Sequence, residues 1–498
     1  MKSRRGVPRL IISEATAHSE VLLRPHPKAK ETTTAIMIAM THRAWYIARH
    51  LNPMSSAPTS ETTSRTSLLA TIIRFFSDRL TRAVLLAWSG TFLAYLQVRT
   101  ILAFDPRWLA IQTIWDRGWA NIYDPFPSIQ AAELLAFNPR APVYAELAQR
   151  GSSFIYPPIA AILYMPFIGN SWATAEVRLA WMSSLLFGAI LGIVLLFVAH
   201  EKKRLNALHA ASIIATVMVF YPLVRAVKLN QSTLFVTVFL GLGWLALRKR
   251  AEVLAGVALA GALAIKPHLV LMLPILAWRA RKTALSALAM ATVLAMVSLL
   301  FAGFDNHIDY ATRVLPSLAN GYAFYPNQSW TAFFLRLLTE LPINRFEIAP
   351  RSATIQSLAI TGALVTYASA LFVGRRVCNQ PHIGPQLYMF AWLAATLISP
   401  IAWEHHYAPA IFVFISCWDA YSQRRSSLPA RLLPLFAISF VCIASYFEVL
   451  AWDGLGARLL MSYVFYGGLL LLGASGALLL AEGTGNGSNQ RDIPRTLP

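Results

Sequence analysis

Charge is scarce in this 498-residue chain, and negative charge most of all. Only 23 Asp and Glu stand against 43 Lys and Arg, and all charged residues make up 13% of the total. Soluble domains carry about 25%. With 56% of its residues hydrophobic, the chain has more apolar surface than a soluble fold could bury, so it reads as a polytopic membrane protein.

Cysteine is nearly absent. Cys378, Cys417 and Cys442 stand singly in or beside apolar stretches, which excludes a disulfide framework and matches no zinc or redox spacing. They read as small packing residues. Also missing are a phosphate-cradling glycine loop, a Walker motif, an Asp-x-Asp pair and any internal repeat. A nucleotide-driven reaction is therefore disfavoured, and no cofactor is called for.

The net charge of +20 is not the mark of a nucleic-acid binder. Its cations cluster in short loops: Lys202-Lys203-Arg204, Arg248-Lys249-Arg250, Arg279 to Lys282, Arg375-Arg376 and Arg424-Arg425. That is the positive-inside pattern.

Apolar segments fall at 82–104, 176–199, 207–225, 232–247, 283–303, 353–374, 386–401, 405–418, 431–449 and 458–481. Each reads as a membrane helix. The stretch 154–168 is too short to cross and is drawn as re-entrant or interfacial. The pair 253–265 and 267–278 reads as a hairpin dipping in from the cytoplasm. The expected fold is an all-α bundle of about 11–13 membrane helices. Residues 1–80, rich in Ser, Thr and Arg, read as a disordered basic cytoplasmic tail, 81–482 as the membrane domain and 483–498 as a C-terminal tail. This drawing places four segments outside: the loop 105–153, Lys228 to Gln231, 304–328, and Trp403 to Tyr407. One extracytoplasmic cavity could gather them. The loop 105–153 alternates apolar and polar residues at helical spacing, as amphipathic helices along a membrane surface would.

Several residues stand out against this background. Asp105 directly follows the first membrane helix, where a partly shielded carboxylate could act as a general base; it could equally cap a surface helix, and Asp116 and Asp124 share its loop. Tyr156-Pro157-Pro158 fixes the backbone where a loop enters the membrane. Lys266, between Ala264-Ile265 and Pro267, is an isolated intramembrane cation that needs a counter-ion; the phosphate of a lipid carrier would supply one, as would an internal carboxylate, or the side chain could snorkel. Lys228, Asn230 and Gln231 join two helices outside, and Asn327 and Gln328 present a second amide pair there. Amides suit sugar hydroxyls, although at helix ends they often serve as caps. Both amide pairs also read as glycosylation sequons. Glu404, His405 and His406 follow Ser399-Pro400-Ile401-Ala402-Trp403. Adjacent histidines on a helix point about 100° apart, which makes a shared metal improbable and favours hydrogen bonds to a substrate or to the base.

Taken in order, Asp105, Phe154-Ile155-Tyr156-Pro157-Pro158, Leu229-Asn230-Gln231-Ser232, Ala264-Ile265-Lys266-Pro267, Asn327-Gln328-Ser329 and the Ser399 to Tyr407 run resemble the bacterial polyprenol-phosphate-mannose-dependent alpha-mannosyltransferases of glycosyltransferase family 87. The resemblance spans roughly residues 80–450. It implies a GT-C fold, a polyprenyl-phosphate sugar donor, a lipid-linked or envelope-glycan acceptor, inverting transfer outside the bacterial inner membrane, and Asp105 as the base. Two departures stand out: the usual Gly-Gln-x-Asn is Asn230-Gln231-Ser232-Thr233, and the usual Asp before the histidines is Glu404. A transporter or lipid-linked-glycan flippase using Lys266, Glu404 and the histidines is the rival reading.

Overall fold

The computed structural model describes residues 126–152, 154–200, 207–343, 348–380, 383–423, 432–446 and 454–484. Asp105, Asp116, Asp124, the span expected at 82–104 and residues 1–80 lie outside the described residues. Among those described, every regular element is helical, and the one extended pairing is an isolated antiparallel bridge between Asn327 and Trp403.

The chain enters with α1 (Phe126–Phe137), α2 (Val143–Gln149) and α3 (Pro158–Tyr164), the last starting on Pro158 as the two prolines predict. Proline is well placed there because the first helical residues have no internal acceptor to serve. The expected surface-lying character does not extend to α1, whose residues Pro127 to Ala132 are all buried. Ala131 there shares one core with Ala160 and Ala161 of α3, and small side chains of this kind let two helices approach closely.

Next come α4 (Trp172–His200), α5 (Ala207–Val219), α6 (Tyr221–Lys228), α7 (Thr233–Arg248) and α8 (Glu252–Ile265). The single span expected at 207–225 is in fact two helices bent by 49°. The break falls at Phe220, whose extended backbone precedes Pro222, a residue with no N–H to continue the first helix. Lys266 interrupts the next apolar run with φ −126 and ψ 86, and a 3-10 turn Pro267–Leu271 leads into α9 (Met272–Ala277). The chain therefore breaks at Lys266-Pro267, between the two short apolar stretches expected at 253–265 and 267–278.

α10 (Arg281–Asp309) continues past the expected end at 303. It kinks at Gly303, φ +75, then runs through a π turn Tyr310–Val314 into α11 (Leu315–Leu318). Much of the expected 304–328 loop is therefore helical. Asn306 on this extension accepts from Val143 N at 2.9 Å and donates to Ala141 O at 2.7 Å, tying the α1–α2 connection to α10.

α12 (Trp330–Leu338), α13 (Ala353–Arg376), α14 (Gly384–Ile398), α15 (Ala410–Gln423), α16 (Leu432–Ala444), α17 (Gly454–Leu460) and α18 (Tyr463–Thr484) complete the described chain. α14 is the axis of the bundle. Its residues Leu387 to Leu397 are buried without interruption, against α7, α9, α13, α15 and α18. Its apolar side chains therefore face protein on all sides rather than lipid. At the end with the basic loops, Arg248 pairs with Asp419 at 2.9 Å and lies over Phe197, joining α4, α7 and α15. Among the described residues, four helices are long and apolar enough to cross a membrane, five if the bent α5–α6 pair counts as one span. Shorter apolar helices such as α7, α8 and α16 accompany them.

Candidate active site

The site is built where the breaks in three membrane segments meet. The first is the Tyr156-Pro157-Pro158 entry to α3, the second the Lys266 interruption between α8 and the 3-10 turn, and the third the turn Glu404–Tyr407 between α14 and α15. Non-helical backbone is tolerated at membrane depth only where protein or a cavity surrounds it.

Lys266 is buried, at 8% exposure. Its Nζ is hydrogen-bonded to His406 Nε2 at 2.5 Å and stands 5.7 Å from the centroid of the Tyr156 ring. A neutral imidazole accepts with one nitrogen, and an aromatic face attracts a cation. No carboxylate among the described residues lies within ion-pairing distance of Lys266, so the internal counter-ion considered from the sequence is not found there.

His405 stacks edge-on to His406, with ring centroids 4.8 Å apart. His406 accepts the Lys266 bond through Nε2, so beside an ammonium its imidazole is neutral. Glu404, 1% exposed, accepts through Oε2 from the Tyr221 hydroxyl at 2.8 Å, while Oε1 is buried with no hydrogen-bond partner. Arg225 and Arg336 both act on this carboxyl electrostatically. The Tyr221 contact also fixes α6 against the histidine turn.

The amides sort differently from expectation. Asn327 and Gln328 are fully buried, and both ends of each side chain are taken by backbone. Asn327 accepts from Ala402 N at 3.0 Å and donates to Tyr322 O at 3.2 Å. Gln328 accepts from Phe465 N at 3.1 Å and donates to Tyr325 O and Met461 O, each at 2.7 Å. With these bonds the two amides brace the 322–328 loop against the Ser399 to Trp403 run and α18, so the sugar-binding role read for them from the sequence would require bonds beyond the ones they make here. Asn230, at φ +49, uses its Oδ1 to accept from Ser183 at 2.7 Å, joining the α6–α7 turn to α4. Gln231 is buried beside it, and Lys228 ends α6 exposed.

Sequence reasoning missed Tyr221, Arg225 and Arg336. Arg336 is 1% exposed on α12 and donates to Asn327 O at 2.8 Å and Ser462 Oγ at 2.8 Å. Its signal was available: a lone cation within the aromatic run Trp330 to Leu338, isolated as Lys266 is. Among the described residues, no group of three His, Cys, Asp or Glu is placed to hold a metal ion.

Residues 154–400 match the family model of glycosyltransferase family 87. The chain belongs to glycosyltransferase family 87. It is therefore an integral membrane glycosyltransferase, with a donor, an acceptor and membrane lipids as its partners. No curated protein and no solved structure matches the chain. In this family 87 enzyme the match includes Tyr156, Asn230, Gln231, Lys266, Asn327 and Gln328. It ends just before the turn carrying Glu404, His405 and His406, which the fold brings against Lys266.

Proposed function

We propose that this glycosyltransferase moves mannose from a polyprenyl-phosphate donor to a hydroxyl of a lipid-linked or envelope glycan, at the extracytoplasmic face of the bacterial inner membrane, with inversion. The observation that carries the reading is Lys266, a buried cation whose polar neighbour is a neutral histidine and which has no carboxylate at ion-pairing distance among the described residues. A phosphate would provide the missing counter-charge in a setting of low dielectric. A lipid-phosphate sugar already holds its activated bond, consistent with a sequence lacking every nucleotide motif.

In the proposed reaction the acceptor oxygen forms a bond to the anomeric carbon while the carbon–oxygen bond to phosphate breaks, its electron pair leaving on the phosphate. Asp105 takes the acceptor proton. Lys266, assisted by Lys228 at the outer end of α6, stabilises the phosphate leaving group. Tyr156 walls the Lys266 site. His406 holds the ammonium in place, and His405 packs against that imidazole.

The test is transfer of radiolabelled mannose from polyprenyl-phosphate-mannose to lipid acceptors, in membranes carrying wild type, Asp105→Asn or Lys266→Met at matched expression. Transfer by wild type and its loss in both variants supports the reading. Equal transfer by Asp105→Asn moves the base to Asp116 or Asp124, and no transfer by wild type overturns the donor.

A further inference from the structure

Within the site, two polar atoms of the Glu404–Tyr407 turn are buried with no hydrogen-bond partner, Glu404 Oε1 and His406 Nδ1, and the first of them lies on a side chain that is otherwise anchored. Glu404 Oε1 is buried without a partner, while Oε2 on the same carboxyl is held by Tyr221. Buried polar atoms are nearly always hydrogen-bonded, so an orphan on an otherwise anchored side chain points to a missing partner. A metal ion is a poor candidate: Arg225 and Arg336 both act on this carboxyl electrostatically, and no third ligand converges on it among the described residues. A hydroxyl fits, because it donates to a carboxylate and accepts from a carboxylic acid.

We infer that Glu404 Oε1 binds a ring hydroxyl of the donor sugar, making Glu404 a specificity-determining residue of the transferase. The inference rests on the donor reading above. Glu404 stands two residues before His406, and a 3-10 helix rises about 2 Å per residue. A sugar whose phosphate sits at Lys266 and His406 is therefore within a ring's length of the carboxyl. Successive residues of such a helix turn by a third of a circle, so the Glu404 and His406 side chains leave the turn about 120° apart, and a ligand that meets both, such as a sugar joined to its phosphate, would lie across the turn. The Tyr221 hydrogen bond leaves one oxygen for the sugar and fixes the rotamer of the other.

The experiment compares polyprenyl-phosphate-mannose with its monodeoxy analogues, one for each ring hydroxyl, using wild type, Glu404→Gln, Glu404→Ala and Tyr221→Phe. The readout is each analogue's kcat/KM relative to the parent donor within one variant, so the yield of folded enzyme cancels. In wild type, one analogue is expected to fall at least about 10-fold, as a hydrogen bond to a charged group is worth. Glu404→Gln weakens that discrimination and Glu404→Ala erases it, with the other analogues unaffected. Tyr221→Phe, which keeps the carboxyl but releases its rotamer, weakens the discrimination without erasing it. The same deoxy pattern in wild type and in Glu404→Gln or Glu404→Ala overturns the inference while leaving the donor reading intact, as does a wild type indifferent to every analogue. A wild type that does not use the parent donor overturns both.

Discussion

Replacing Lys266 by Met is expected to stabilise this protein while abolishing its transfer activity. The interior ammonium loses several kcal/mol of hydration when it is buried. Against this stand one hydrogen bond to His406 and a Tyr156 ring 5.7 Å away. A hydrogen bond involving a charged group returns about 1.5–3 kcal/mol and a cation–ring contact about 0.5–2 kcal/mol. Met matches the length of the lysine stem and packs without strain among Ile265, Leu269 and the rest of the main core. The difference favours Met by about 1–3 kcal/mol. Unfolding entropy near 2 cal/mol/K per residue converts this to a rise of about 1–4 °C in apparent Tm for a domain of some 400 residues. Tryptophan-fluorescence melting of wild type and Lys266→Met, purified in the same detergent, measures it. A melting point several degrees lower would refute the reasoning, because Lys266 would then have a counter-ion within the protein and its claim on a substrate phosphate would lapse. Stability gained with activity lost is the pattern of a residue kept for its ligand rather than for the fold.

Other changes separate scaffold from site. Arg336→Met, which leaves Asn327 O and Ser462 Oγ without this donor, is expected to lower stability by about 1–3 kcal/mol, and combination with Ser462→Ala should be less than additive in the same melting assay. Asn327→Ala should lower stability by about 2–4 kcal/mol through orphaned backbone groups and leave the donor KM of the surviving enzyme unchanged; a raised KM would restore it as a sugar ligand. Gly256→Ala places a methyl group against Ser286 Oγ and the Thr283 carbonyl, with Ala287 N at 2.8 Å. Backbone must part there, so a loss of about 1–3 kcal/mol follows, read as a lower melting point.

How much of this was legible in the sequence depended on whether the signal was local. Helices announced by composition alone are present: the expected 176–199, 353–374 and 458–481 became α4, α13 and α18, and the break at Lys266-Pro267 lies where a charge and a proline meet. The two-part span at 207–228 was less legible, because Pro222 permits a helix start as readily as a kink; the choice was made by Glu404, almost two hundred positions away, gripping Tyr221. The kink at Gly303 was hidden for the same reason. Arg140 packs against that glycine, and Asn306 turns the next stretch into helix by holding the α1–α2 connection.

The site itself followed this division. Lys266 and the Glu404 to Tyr407 turn were conspicuous because ionisable groups in apolar surroundings need a reason. Asn327 and Gln328 were equally conspicuous as amides but carried no mark of where their hydrogen bonds would go. An amide at a membrane edge has the same chemistry whether it meets a sugar or a carbonyl, and only the fold showed the backbone groups of Tyr322, Tyr325, Ala402, Met461 and Phe465 already bonded to them. Arg336 shows the converse. Its isolation among Phe333, Phe334 and Leu335 was as sharp as that of Lys266, yet its guanidinium is consumed by Asn327 O and Ser462, whereas the ammonium of Lys266 has one neutral imidazole. Two buried cations of like sequence signature thus divide by the partners the fold supplies: the satisfied one braces the loop, and the under-satisfied one is where an anionic substrate group belongs.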